Sequence, residues 1–242
     1  MIDFPYKVYN IKDYLTDEEI LKFENEIDKF DVSQNNFKTP FSPLFYHNNL
    51  TDILKEKNPD LLNKIKYSGY YDYDDFKSLV EINKSISNYN EFYFNFRLSP
   101  LVFGFEKSYI HKIYEKVFVK IVENIFNKKP NRNQHFISST INVYPKGSFL
   151  SKHQDGEDLN NPRIFTMLFF INKNWDEKNG SLFRMYDEKD NIIDIIPNYE
   201  NVIVLNHMKY NYVHEVTENI SDKLRYSIFS PLSINHLENY FN

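Results

Sequence analysis

The chain contains no cysteine. Thiol catalysis, cysteine-ligated metal centres and disulfide staples are excluded together. The same absence is compatible with a reducing cytosol, so a cytoplasmic location is the expectation. Glycine is scarce, with 5 in 242 residues, and each one marks a place to look for backbone that a side chain would obstruct. No window approaches the roughly 20 apolar residues that a membrane span requires. The opening MIDFPYKVYNIKDYLTDEE lacks the basic region and apolar run of a signal peptide. Neither sign of charge dominates: 29 basic and 34 acidic residues are interspersed, for a net charge of -5. Such a balance leaves no electrostatic footprint for nucleic acid, and neither nucleic acid nor membrane is expected as a partner.

What is present argues for a packed globule. The hydrophobic share is 41% and the aromatic share 17%, well outside the range of a disordered chain. A chain of this length suits one domain, and it buries a sizeable core without staples. Phe4 to Tyr14 alternates loosely and reads as an opening strand. Thr16-Asp17-Glu18-Glu19 then forms a capping box, predicting a helix to about Phe30 with Ile20, Phe23 and Ile27 inward. From Val32 to about Phe94 the chain is polar and rich in Tyr and Asn. Short helices are expected there at Leu50 to Lys57 and Tyr73 to Ile86, between irregular loops. Ile110, Ile113, Tyr114, Val117, Ile121 and Ile125 recur at helical spacing, so a longer helix is expected from about Ser108 to Phe126, with Pro130 marking its end.

From His135 onward the texture changes. HFISSTINVYP, RIFTMLFFIN, GSLFRMYD, NIIDIIP, NVIVLNH and LRYSIFSPL are short β-rich runs separated by turn residues such as Lys146-Gly147, Asn179-Gly180 and Asp190-Asn191. Strands at this density suggest a sandwich or jelly roll. The fold class expected is mainly β with a helical buttress (α+β). Residues 1–133 would supply the opening strand, helical support and substrate loops, and residues 134–235 the β core of a single domain.

Within the strand-rich half, His153-Gln154-Asp155 forms an HxD triplet. On extended backbone, residues two apart share a face, so an imidazole nitrogen and a carboxylate oxygen can converge on one point. A second histidine from a distant strand would complete three facial ligands and leave three positions open, the arrangement suited to non-haem iron(II). An HxD triplet alone is weak, because seven histidines and many aspartates make chance matches common. Both His207 and His214 lie near the end of a strand and compete for the third place.

Downstream context sharpens the reading. INVYPKGSFLSKHQD, RIFTMLFFINKNWDEKNGSLFRMYDE, IIDIIPNYENVIVLNH and HEVTENISDKLRYSIFSP follow one another over roughly the last 100 residues. In that order they resemble the prolyl-4-hydroxylase-like branch of the 2-oxoglutarate/iron(II) dioxygenases. PYKVYNIKDYLTDEEI resembles that branch's usual opening strand and helix.

The resemblance implies a distorted double-stranded β-helix (jelly roll) with N-terminal helices. It implies iron(II) held by His153, Asp155 and His214, the last because HEV followed by a basic strand matches the family pattern only there. It places Arg225 at the far carboxylate of 2-oxoglutarate and sets Tyr144 and Thr166 where side chains often hydrogen-bond that cosubstrate. The activity implied is hydroxylation of an unactivated C–H bond, with succinate and CO2 as co-products. Molecular oxygen and a peptidyl or small-molecule substrate would be the partners, proline or another amino acid being favoured, and ascorbate an accompanying reductant. Related halogenases lack a carboxylate at the place of Asp155, so hydroxylation is favoured over halogenation. Hydroxylation of a non-proline small molecule is the alternative within enzymology, and an inactive jelly-roll binding module the alternative outside it.

Chemistry independent of the resemblance agrees with it at Arg225. A dianionic cosubstrate beside a dication needs one fixed positive charge at its far end, and arginine offers a planar fork that matches a carboxylate. Lys223 lies two residues away and shares the strand face, so parity does not choose between them. Depth does: Asn219 to Asp222 reads as a turn, which leaves Lys223 at the strand's mouth and Arg225 inside. Arg163 could contact substrate or pair with an acid. Trp175 is expected to cover a hydrophobic edge, and Gly180 to hold a positive φ. The aromatic run Tyr67, Tyr70, Tyr71, Tyr73, Phe92, Tyr93, Phe94 and Phe96 reads as core in preference to a substrate groove. His47, His111, His135 and His236 are expected to make ordinary hydrogen bonds.

Overall fold

The computed structural model describes residues 6–31, 38–40, 50–84, 96–98, 108–129, 139–155, 163–187, 189, 191–207 and 213–233. His47, Phe92, Tyr93, Phe94, His135 and His236, and the side chains of Tyr73 and Phe96, lie outside them.

Strand β1 (Tyr6–Asn10) leads through a short 3-10 turn into helix α1 (Asp17–Lys29). The capping box read from sequence is formed: Thr16 Oγ1 accepts from the Glu19 amide at 3.3 Å, and Glu19 Oε2 accepts from the Thr16 amide at 2.9 Å. Two orphan donors of the first turn are thereby satisfied. The same carboxylate accepts from Lys116 Nζ at 2.6 and 2.7 Å, tying α1 to α5 (Tyr109–Phe126). Helix α5 buries Ile110, Ile113, Tyr114, Val117, Phe118, Ile121 and Val122, at about 1.5–3 kcal/mol for each large apolar side chain. It ends at Asn127 in a left-handed conformation (φ 50°), three residues before Pro130. The αL cap therefore stops the helix ahead of the proline.

Between them stand β2 (Lys38–Pro40), α2 (Leu50–Lys57), α3 (Pro59–Ser68), β3 (Tyr70–Asp72), α4 (Tyr73–Lys84) and β4 (Phe96–Leu98). Helices α2 and α4 fall where the sequence places them. Helix α3 occupies chain expected to be irregular. Asn58 caps it by accepting from the Leu61 amide at 3.0 Å, Pro59 sits at its first turn, and Gly69 closes it at φ 71°. Within the aromatic run, Tyr71 is core at 1% exposed while Tyr67 is 96% exposed, so the run lines no continuous wall there.

The remaining strands are β5 (Thr140–Tyr144), β6 (Leu150–His153), β7 (Arg163–Phe170), β8 (Phe183–Tyr186), β9 (Ile192–Ile195), β10 (Asn201–Asn206), β11 (Val213–Val216) and β12 (Arg225–Ser233). A six-stranded sheet runs β1-β10-β7-β12-β5-β4, a four-stranded sheet runs β6-β11-β8-β9, and β2 pairs with β3. All these pairings are antiparallel.

Period-two alternation divides the large sheet into two faces. One face presents Phe165, Met167, Phe169, Val202, Val204, Tyr226 and Ile228 to α1 and α5, with Phe169 5.8 Å from both Phe23 and Tyr114 between ring centroids. The other presents Tyr144, Leu168, Phe170, Ile203 and Leu205, which pack with Phe183, Met185 and Val216 of the small sheet. The result is a two-sheet β core with a helical buttress on one side, the expected jelly-roll class. Trp175 is buried, and its indole N–H donates to the Gly180 carbonyl at 2.9 Å. Gly180 holds φ 67°, and a Cβ there would lie 2.0 Å from the Glu218 carbonyl oxygen.

Candidate active site

Antiparallel pairing sets His153, the last residue of β6, opposite His214 in the middle of β11. Their ring centroids are 4.3 Å apart, and Phe183 packs on His214 at 5.4 Å. Two residues beyond His153, Asp155 turns its carboxylate back, with Oδ1 4.0 Å from His153 Nε2. One donor atom from each of His153, Asp155 and His214 lies within 4.8 Å of the others. The His153 Nδ1 atom is 2.7 Å from the Ser151 carbonyl. A carbonyl can only accept, so Nδ1 carries the proton and Nε2 offers its lone pair to the shared point.

The other carboxylate oxygen of Asp155 is crowded. Thr166 Oγ1 donates to Oδ2 at 3.1 Å, Arg163 Nη1 lies 2.7 Å from it, and His207 Nε2 lies 3.3 Å from it. The Arg163 nitrogen approaches off the hydrogen-bond direction, so the contact is an ion pair without a hydrogen bond. Burial alone would raise the Asp155 pKa. The charges of His214 and Arg163 outweigh it and hold the carboxyl below its usual range. Burial pushes His207 down and favours its neutral form.

Arg163 reaches this place because of a β-bulge. The pairing of β12 with β7 slips between Leu232 and Ser233. Ile164 and Phe165 both join the outer core, so Arg163 is turned to the inner face, its guanidinium 5.4 Å from the Phe229 ring. Of the two roles open to it from sequence, the structure shows pairing with an acid.

Arg225 opens β12 and is 1% exposed. Its guanidinium carbon lies 4.6 Å from the Tyr144 ring and 5.0 Å from Phe170, and Nη1 donates to Ser227 Oγ at 2.7 Å. Nε is buried without a hydrogen-bond partner, and among the described residues no carboxylate stands within ion-pair distance. Burial pushes its pKa down to about 10. A buried cation without a counter-anion is costly, so this one is poised for an anion from outside the chain. Lys223, by contrast, is exposed, as depth along the strand required.

Two buried asparagines fix where β12 begins, and neither stands out in the sequence. Asn219 donates its amide to the carbonyls of Tyr144 and Lys223 at 2.7 and 2.8 Å. Asn172 donates to the Tyr226 carbonyl at 2.9 Å and accepts from the Tyr226 amide at 2.6 Å. Their only advance signal is position beside turns. Thr166 pairs with Pro231 of β12 and its hydroxyl donates to Asp155, while Tyr144 stands directly opposite Arg225.

The donor set fits iron: two imidazoles and one carboxylate, with no thiolate, suit a non-haem Fe(II) centre with open positions. The buried, unneutralised Arg225 fits a dicarboxylate's distal end. Comparison with known families agrees. Residues 139–232 match the family model of the 2OG-Fe(II) oxygenase superfamily.

Over that stretch the chain is similar to a 2OG-Fe(II) oxygenase domain.

A 2OG/Fe(II)-dependent dioxygenase is the class that this similarity supports. Among solved structures, a prolyl-4-hydroxylase from Pseudomonas putida is similar with a TM-score of 0.53 at 12% identity, over 95% of this chain and 92% of that one. A prolyl hydroxylase from Trichoplax adhaerens, in complex with a hypoxia-inducible-factor oxygen-degradation-domain peptide fragment, aligns at 15% identity over 93% and 96% with a TM-score of 0.47. The first likeness identifies the oxygenase fold as that of the prolyl-4-hydroxylase-like double-stranded β-helix. No helix among the described residues is long and apolar enough to cross a membrane.

Proposed function

We propose that His153, Asp155 and His214 hold Fe(II), that Arg225 anchors the far carboxylate of 2-oxoglutarate, and that the chain hydroxylates an unactivated C–H bond of a prolyl or amino-acid-type substrate, releasing succinate and CO2. The observation that carries this reading is the pairing of a His-Asp-His cluster with a fully buried guanidinium in the same inner layer. Iron(II) with 2-oxoglutarate supplies the power to oxidise such a bond with O2.

The chain's own residues do the rest. The Ser151 carbonyl holds His153 in the Nδ1-protonated tautomer. Asp155 brings a negative charge that partly neutralises the metal. Arg225, walled by Tyr144 and Phe170, orients the cosubstrate and keeps water from its distal end. The proline preference rests on the resemblance of the four C-terminal segments and on the fold shared with a prolyl-4-hydroxylase. We take 1–242 as one dioxygenase domain with its core at 134–235. The pairing of β1 with β10 supports this, because it builds the chain's beginning into the core sheet.

The test is succinate formation by the purified chain with Fe(II), 2-oxoglutarate and ascorbate, across prolyl peptides, free proline, other amino acids and non-proline small molecules. Stimulation by a prolyl or amino-acid substrate, with the product heavier by one oxygen atom, is expected. Stimulation confined to non-proline small molecules would replace the substrate assignment and leave the iron site standing.

A further inference from the structure

Asp155 is approached by more groups than a metal ligand needs. Its Oδ1 faces His153 Nε2, while Oδ2 is met by Arg163, Thr166 and His207 at 2.7, 3.1 and 3.3 Å. These groups come from different elements: Arg163 and Thr166 from β7, and His207 from the residue after β10. They converge on one oxygen only because the β7 bulge turns Arg163 inward and the strand register sets Leu205 beside Thr166.

The hydrogen bonds have a direction. Thr166 donates its only hydroxyl proton to Asp155, so toward His207 Nε2, 2.9 Å away, its oxygen can only accept. His207 therefore carries its proton on Nε2, and a chain runs from His207 through Thr166 to Asp155. Bonds in such a chain polarise one another. The neighbouring Arg163 adds a fixed positive charge on the same oxygen.

Resting on the iron reading above, we propose that Arg163, Thr166 and His207 form a clamp that reserves Oδ2 of Asp155 and makes this carboxylate a one-oxygen ligand. A free carboxylate can grip a cation with both oxygens and so fill two positions. With Oδ2 held, Asp155 fills one, and the three positions that cosubstrate and oxygen require stay open. His207 is thereby a positioning residue, acting through Asp155, which explains why a histidine so near the site is not itself in the ligand cluster.

The experiment titrates the full chain with Co(II), a surrogate indifferent to oxygen, and then titrates the Co(II)-loaded chain with 2-oxoglutarate. Thr166→Val removes the hydroxyl with little change of shape, Thr166→Ser restores it, and His207→Phe removes the first donor of the chain. Loss of groups that orient a metal ligand typically costs 10–100-fold in metal affinity. Thr166→Val and His207→Phe are expected to bind Co(II) about tenfold more weakly or worse, and then to bind 2-oxoglutarate more weakly because Asp155 now competes for its position. Thr166→Ser is expected to return both values toward wild type, with metal-free melting temperatures unchanged across the Thr166 pair. Should His207→Phe fail to fold, the Thr166 pair decides alone. Wild-type affinities for both ligands in Thr166→Val would overturn the clamp. A wild-type chain that takes up no Co(II) would overturn the iron reading and the clamp with it.

Discussion

Arg225 lies directly opposite Tyr144 across the antiparallel pairing of β12 with β5, its guanidinium 4.6 Å from the phenol ring. The pairing seats a charge in the core with an aromatic face and a serine hydroxyl for company, and with no carboxylate in reach among the described residues. A cation held this way suits the role proposed for it, anchoring the anion that would arrive with the cosubstrate.

Arg225→Ala is accordingly expected to raise the 2-oxoglutarate requirement by at least ~30-fold, since breaking a buried charge pair costs on the order of 2–5 kcal/mol. Lys223→Ala should change it little, because that side chain is exposed. Arg225→Lys should recover part of the loss, returning the charge without the fork. Succinate formation against 2-oxoglutarate concentration measures all three. Damage in Lys223→Ala with none in Arg225→Ala would reverse the assignment.

Gly180 makes a sharp stability prediction. Its φ of 67° and a Cβ position 2.0 Å from the Glu218 carbonyl oxygen leave no room for a side chain, and the obstruction is backbone. Gly180→Ala is expected to cost at least ~2 kcal/mol, lowering the melting temperature by roughly 4–8 °C. Differential scanning calorimetry reads this directly, and an unchanged melting temperature would contradict the turn geometry.

Acid should loosen the attachment of α1 to α5. The Lys116 ammonium and the Thr16 amide hold the Glu19 carboxyl below its ordinary range. A carboxyl depressed in the folded state stabilises fully above its unfolded pKa, and that contribution is lost as pH falls through the lower folded value. Glu19→Gln should therefore melt below wild type at about pH 7, and the gap should narrow as pH falls below the ordinary glutamate value of about 4.3. A gap of constant size across that range would assign the effect to packing.

Much of this was legible in sequence, for reasons that differ by residue. The Thr16 to Glu19 box, the helical stripe of α5 and the short β-rich runs of β7, β10 and β12 are local patterns, and they formed as read. Asn58-Pro59 also carries a local start signal, yet the polar, Tyr-rich surroundings of α3 obscured its apolar Leu61, Leu62 and Ile65. Depth along the final strand distinguished Arg225 from Lys223 because a turn can be read. The convergence of Arg163, Thr166 and His207 on Asp155 could not be read, because it depends on a bulge and on cross-strand register, which no local pattern specifies. Thr166, expected at the cosubstrate, is engaged with Asp155 for the same reason.

The central claim is that His153, Asp155 and His214 form the iron centre, and anaerobic titration with Fe(II) and 2-oxoglutarate tests it most directly. Wild type is expected to develop a weak visible charge-transfer band. His153→Ala, Asp155→Ala and His214→Ala should lose it while keeping their fold, because these side chains line a site and do not carry the core. His207→Ala should retain the band once Fe(II) is raised to saturation. A band that survives in His214→Ala and disappears in His207→Ala, or no band in a folded wild-type chain, would contradict the account.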